Sequence, residues 1–501
     1  MLYEKLMMDT ATYTKFKLFQ ELTHHAQRAE YPIVQLSKKL ALNYQRTVTA
    51  VNELDKELVQ INTTQKSLLK KPGKVTIAHL LVTIDDYRYF LLKQSIPFQY
   101  LLYILNHPQP NIDDFCQQYF VSRSTFTRKI APLKEFLEPF NLHFSYTDAS
   151  LLGDERLVRS TFFNLIWLGT RGIFWPFALS RDQIKPYVET FAPYFSLSKI
   201  FLGKIELEFL AAICIARAKR HCFAPYDPRY DLLMKNNPYY DFQLLKQTLD
   251  PYMSLTYEQL KGESGLVFFF SHYAPFYTLE DRESFQQTLK NFARKPNVIR
   301  SFVKGFIAEA EQNIFNKGLS AQNFPIIKSN LLNITYTYYV LRQAGPTLQL
   351  LAGVPVRKTK AAVFLEKEIT AYFNNQEKKS FYSFIQPIKR EMIRSFQRIL
   401  IPFYEEPAYL QHLKVGLSFE HNFFFIRKLY RFFDQLGFVD CGTYCEKNNK
   451  YYDLVISSSF LPLKKYPTLP FYYWDIANEN DDFTQLYQKL HQLYTEKNQA
   501  T

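Results

Sequence analysis

Apolar residues in the first 150 positions recur in two blocks of one form: a short stripe at helical spacing, a tight polar break, and a longer stripe. In the second block, Asn111 to Leu137, the short stripe is Ile112, Phe115, Cys116 and Tyr119. Phe120-Val121-Ser122 then breaks the pattern, and Ser122 is placed to cap a new helix by accepting a backbone N–H bond. That helix carries Phe126, Ile130, Leu133 and Leu137 inward, which leaves Arg123, Ser124, Thr127, Arg128, Lys129 and Lys134 on or beside its open side. Leu142 to Tyr146 and Ala149 to Leu152, parted by a Thr-Asp turn signal, predict a short hairpin after it.

The first block, Pro32 to Ile61, opens a helix at Pro32, where the missing N–H costs nothing. Leu36 and Leu40 face inward, Ala41-Leu42-Asn43 make the turn, and Asn43 caps a helix with Val48, Val51, Leu54 and Leu58 inward. Tyr44, Gln45, Arg46, Thr49 and Asn52 face out, a less basic surface than that of the second block.

From about Glu155 to Tyr404 long helical patterns take over: Leu157 to Trp167, Leu207 to Lys219, Phe285 to Phe292, Val298 to Ile314, Ile326 to Leu341 and Phe364 to Tyr372. They predict helical bundles in two halves meeting near Pro296. After Ile401 the period changes. Strands are expected at His412 to Ser418, Phe438 to Cys441, Tyr452 to Ser458 and Phe471 to Asp475, with helices at His421 to Leu436 and Asp482 to Tyr494. Alternation of this kind implies a small α/β sandwich. The expected architecture is thus mainly α and multidomain. It comprises a helix-turn-helix domain (1–70), a second, winged one (71–160), two helical-bundle domains (161–295 and 296–404) and an α/β domain (405–501).

Composition narrows the function. The chain has 501 residues, 47% of them hydrophobic and 17% aromatic, so it has ample material for several cores and is not disordered. Its formal charge of +14 favours an anionic partner. No apolar run of about 18 residues predicts a membrane span. The polar start, Met1 to Thr14, reads as no signal peptide, and five scattered cysteines make no disulfide framework, so the expected setting is a reducing cytoplasm. Cys441 and Cys445 lack the second pair or nearby histidine that a zinc site needs, and read as strand-edge or buried thiols.

Chemistry-bearing motifs are missing. With 14 glycines there is no phosphate loop, and neither HExxH nor GxSxG occurs. Acidic pairs such as Asp85-Asp86, Asp113-Asp114 and Asp481-Asp482 sit near helix starts, where they complement the helix dipole. No enzyme activity, metal or cofactor is expected. A capped second helix with cations on its open side is instead suited to the major groove, its N-terminal residues on base edges and its flanking cations on phosphates. The competing account is an ordinary pair of amphipathic helices with solvated charges. His221, beside Lys219 and Arg220, and His272, after the apolar run Leu266 to Phe270, read as helix-end or half-buried polar residues, or as phosphoacceptors, since a neutral imidazole is a nucleophile near pH 7.

The assembled order resembles the Mga and AtxA group of Gram-positive virulence regulators. The local likeness is best over Phe98 to Phe163, carried by Ser122-Arg123-Ser124-Thr125 and Leu152-Gly153-Asp154-Glu155-Arg156. The resemblance implies a DNA-binding transcriptional activator whose helical halves are regulatory domains phosphorylated on histidine by the sugar phosphotransferase system. Double-stranded DNA and the phosphocarrier protein of that system would be its partners. It also implies a terminus similar to the IIB component of that system, through which a homodimer forms. His221 and His272 are the candidate phosphoacceptors in the first half; the second half, Pro296 to Ile401, holds no histidine. The turn after the first strand of the terminus, Ser418-Phe419-Glu420-His421, lacks the thiol of true transport components. Two rivals stand beside this reading: an RNA-binding antiterminator with the same regulatory domains, which would start with a β-rich module, and a non-catalytic interaction scaffold.

Overall fold

A computed structural model of the chain describes residues 2–24, 30–77, 80–195, 198, 201–234, 242–250, 254–272, 282–315, 323–353, 359–404, 412–419, 423–474 and 483–499. The side chains of Asn43 and Ser122 each accept a hydrogen bond from the backbone N–H three residues on, that of Arg46 at 2.7 Å and of Thr125 at 3.2 Å. Both are therefore N-caps, each contributing about 1 kcal/mol to the helix it opens.

The first block runs α1 (Leu2–Met7), α2 (Thr10–His24), β1 (Glu30–Pro32), α3 (Ile33–Lys39), α4 (Tyr44–Ile61) and β2 (Lys74–Thr76). The sequence pattern predicts the helix after Pro32 but not the strand that Pro32 ends: β1 pairs antiparallel with β2, Tyr31 opposite Val75. On α4 the buried positions are Thr47, Ala50, Val51, Leu54 and Leu58, while Val48 is half-buried.

The second block follows as α5 (Ile84–Leu92), α6 (Ile96–Asn106), α7 (Ile112–Gln118), α8 (Arg123–Leu137) and the hairpin β3 (His143–Ser145) with β4 (Ser150–Leu152). The expected hairpin is present, antiparallel with Phe144 opposite Leu151. Four buried rings tie these elements together. Tyr100 of α6 lies 5.2 Å from Phe115 of α7, 4.8 Å from Phe126 of α8 and 5.6 Å from Phe144 of β3, centroid to centroid. Such pairs contribute about 0.5–1.5 kcal/mol each beyond area burial, which fixes α8 against its support.

The middle is helical as expected: α9 (Glu155–Thr170), α10 (Arg181–Phe191), α11 (Phe201–Lys219), α12 (Phe242–Leu249), α13 (Tyr257–Phe270), α14 (Arg282–Ala293), α15 (Val298–Asn313), α16 (Asn323–Leu341), α17 (Leu348–Ala352), α18 (Lys360–Gln376) and α19 (Lys389–Leu400). Every residue of α9 except Phe163 is buried. Further along, Phe302 of α15 packs 5.3 Å from Tyr372 and 5.2 Å from Phe373 of α18.

These elements belong to one compact unit, Met1–Phe403; a second is Tyr404–Thr501. The second unit contains β5 (Leu413–Ser418), α20 (Phe423–Asp434), β6 (Val439–Thr443), β7 (Leu454–Ser457), α21 (Leu461–Lys465), β8 (Phe471–Tyr473) and α22 (Phe483–Gln499). Its four strands are parallel in the order β6-β5-β7-β8. Val415, Leu417 and Ile456 of the sheet share a core with Leu429 and Phe433 of α20 and Leu486 and Leu490 of α22. The expected ends at His421, Asp475 and Asp482, and Glu420 of the first turn, lie outside the described residues. No helix among the described residues is long and apolar enough to cross a membrane.

Candidate nucleic-acid interface

The two blocks make their turns with the same hydrogen bonds. In the second, Phe120 N–H donates to the Gln117 carbonyl (3.2 Å) and Val121 N–H to that of Cys116 (2.9 Å). In the first, Ala41 N–H donates to Lys38 (3.3 Å) and Leu42 N–H to Ser37 (2.9 Å). Ala41 and Phe120 both have φ of 53°, the left-handed region. That conformation costs a residue with a Cβ about 1–2 kcal/mol. Each turn then delivers its cap, Asn43 or Ser122, to the start of the longer helix.

On α8 the side chains of Arg123, Ser124, Thr127 and Arg128 are exposed, and Lys129 is half-buried. They share the N-terminal half of one helix that β3 and β4 flank. Their electrostatics differ. Arg123 donates from Nε and Nη2 to the two carboxylate oxygens of Asp113 on α7, both at 2.5 Å, and this guanidinium holds the Asp113 carboxyl below its usual range. Lys129 Nζ stands 3.4 Å from Asp9. Thr127 Oγ1 donates to the Arg123 carbonyl at 2.9 Å. Arg128 has no ionic partner among the described residues. On α4, Tyr44, Gln45, Arg46 and Thr49 are likewise exposed and adjacent on its first turns. Across the β1–β2 pair Lys71 and Lys74 both bond Glu30, the latter at 3.0 Å.

Sequence reasoning missed three features here. Asp113 reads as a dipole-complementing acid, and only the fold reveals that it meets Arg123. The basic β2 turn is hidden by the shortness of its strands. Phe120 is 97% exposed, and no local signal announces a phenylalanine that is left-handed and uncovered.

The two histidines are placed differently. His221, on the turn after α11 with φ of 57°, is exposed. His272 is buried, its Nδ1 2.8 Å from Ser271 Oγ and 3.2 Å from the Phe268 carbonyl, and burial pulls its pKa down to about 4.

Between the winged block and the bundle lies a buried charge cluster. Arg159 of α9, wholly enclosed, bonds Glu155 at 2.9 Å, both Glu263 oxygens of α13 at 2.7 Å, and the Cys222 carbonyl at 3.0 Å. Arg217 of α11 also grips Glu155, at 2.9 and 2.8 Å, and reaches the Leu151 carbonyl of β4 at 3.4 Å. Arg156 donates to Asp227 at 2.7 Å. Burial pushes the Asp227 carboxyl up, but hydrogen bonds from Arg229 and Arg156 outweigh it and leave it below its usual range. The sequence reading missed this cluster because its members come from separate helices.

Three helices, a tight turn into a capped outward-facing helix and a flanking hairpin define a winged helix-turn-helix, the fold of DNA-binding domains. Residues 82–166 match the family model of the Mga helix-turn-helix domain, so this part of the chain is a domain of that family, which supports the Mga-type regulator family for the chain. A DNA-binding transcriptional regulator is the class of protein such a domain defines. No curated protein matches the chain.

Proposed function

We propose that the chain is a transcriptional activator of the Mga type in which α8 reads the major groove. Arg123, Ser124, Thr127 and Arg128 make the base and phosphate contacts, Lys129 adds a phosphate contact, and Tyr44, Gln45, Arg46 and Thr49 of α4 supply a second, less basic reader. The observation that carries this reading is the outward face of α8: capped by Ser122, seated through Phe126 on the buried rings of Tyr100 and Phe115, and flanked by the wing. Activity depends on a homodimer formed through the C-terminal α/β unit. Genome-wide mapping of bound DNA, with titrations of a recovered site against salt, tests the core of the proposal. Replacing Arg128 by Ala is expected to weaken binding and to lower the salt slope by about one. Unchanged affinity and slope in both R123A and R128A would remove α8 from the interface.

The regulatory part of the proposal rests on His221. Its exposure supports access by a phosphocarrier protein, whereas His272 is enclosed by Phe268 and Tyr336. A phosphoryl group on His221 would sit one residue from Cys222, whose carbonyl takes the Arg159 bond, and Arg159 shares Glu155 with the Arg217 that touches β4. Mass spectrometry after incubation with a phosphorylated phosphocarrier protein, comparing wild type with H221A and H272A, tests the assignment; modification that survives H221A refutes it.

A further inference from the structure

The geometry points to Phe120 as an apolar DNA-contact residue that works beside the polar readers of α8; this rests on the assignment of α8 to the major groove. Phe120 lies in the helix-turn-helix turn, two residues before the Ser122 cap, and its side chain is 97% exposed. Two features of this position are unfavourable for folding, and the turn requires only the first. The backbone is left-handed, φ 53°, where glycine is the residue without penalty. The ring is bare of protein contact, so it contributes no burial. The first block shows that the turn asks for the left-handed backbone but not for the ring: Ala41 takes the same φ and the equivalent residues make the same two hydrogen bonds with only a methyl group. A phenyl ring that the fold does not use, at the end of the helix that enters the groove, fits the apolar parts of a duplex. These are the thymine methyl group and the face of a deoxyribose, which apolar side chains contact in nucleic-acid complexes.

The contact predicts a separation that a cation contact would not give. Burying an uncharged ring releases no counterions, so its loss lowers affinity without changing the salt slope. The experiment uses the full chain and a duplex selected from a random pool, with binding followed by fluorescence anisotropy across a salt series for wild type, F120G, F120A and R128A. F120G and F120A are expected to bind about tenfold more weakly with the wild-type slope, on the scale of one buried apolar side chain, while R128A flattens the slope. Glycine suits the left-handed turn, so F120G keeps the fold. Deoxyuridine in place of thymidine locates the ring: an F120G effect that vanishes assigns it to the methyl group, and one that persists assigns it to the sugar. If R128A weakens binding but F120G does not, Phe120 alone is struck from the interface. If neither changes binding, the α8 reading fails and Phe120 falls with it. Sedimentation of the DNA-free protein adds an arm: a dimer lost in F120G would show that a second copy covers the ring and would overturn the proposal.

Discussion

Arg123, the first residue of α8, is held by Asp113 of α7 through two 2.5 Å hydrogen bonds across the turn, with both side chains open to solvent. A phosphate arriving at α8 competes with that carboxylate for the guanidinium, and the carboxylate itself repels the duplex. Replacement D113N is therefore expected to tighten DNA binding about three- to tenfold at low salt and to steepen the salt slope. Anisotropy titrations measure both; weaker binding in D113N would mean that the pair orients Arg123 toward DNA rather than restraining it.

The left-handed backbone at Phe120 gives a second expectation, concerning stability alone. Replacing Phe120 by Gly removes the Cβ penalty and forfeits no buried contact, against some gain in unfolded-state freedom. Stability is expected to rise by up to about 1 kcal/mol. Urea unfolding of the two proteins decides it, and a lower midpoint for F120G would mean that the ring has a packing role.

Glu155 is shared by two buried arginines, Arg159 and Arg217. Replacing it by Gln keeps the shape but leaves buried guanidinium charge uncompensated, at a cost of about 3–5 kcal/mol. A urea midpoint equal to that of wild type would show that Glu263 and the carbonyls suffice.

His272 makes stability depend on pH in a definite direction. Its folded pKa, about 4, lies below the ordinary 6.5, so the unfolded chain takes up the proton first as pH falls. The contribution is complete above about 6.5 and is lost as pH drops toward 4, a change of about 3 kcal/mol. In H272N that part of the pH dependence disappears. Urea midpoints at several pH values for the two proteins give the difference, and parallel profiles would contradict the burial of a neutral imidazole.

Much of the fold was legible because it rests on local rules. The caps Asn43 and Ser122, the stripe on α8, the β3–β4 hairpin and the four strands of the terminus all follow from residue type and spacing. The β1–β2 pair escaped because three-residue strands carry no period and Pro32 reads equally well as a helix opener. The candidate site was half legible. The open side of α8 follows from its stripe, whereas Asp113 on Arg123, Asp9 near Lys129 and the exposure of Phe120 depend on how separate elements meet. The charges of α9 were the hardest: Arg156 and Arg159 on a helix ordinarily signal a solvated side, and here Arg156 meets Asp227 of a connecting segment and Arg159 meets Glu263 of α13.

The matched domain ends at residue 166, inside α9, a helix buried on nearly all sides whose Arg159 is bonded to Glu263 of α13. A border of likeness is thus not a border of folding. A fragment cut at 166 would sever the last turn of a helix, strip apolar surface of its cover and part Arg159 from Glu263 and Glu155 from Arg217. The winged block and the bundle behind it lie in one compact unit and share the buried charges of α9, so a cut placed by likeness alone would fall inside their common core.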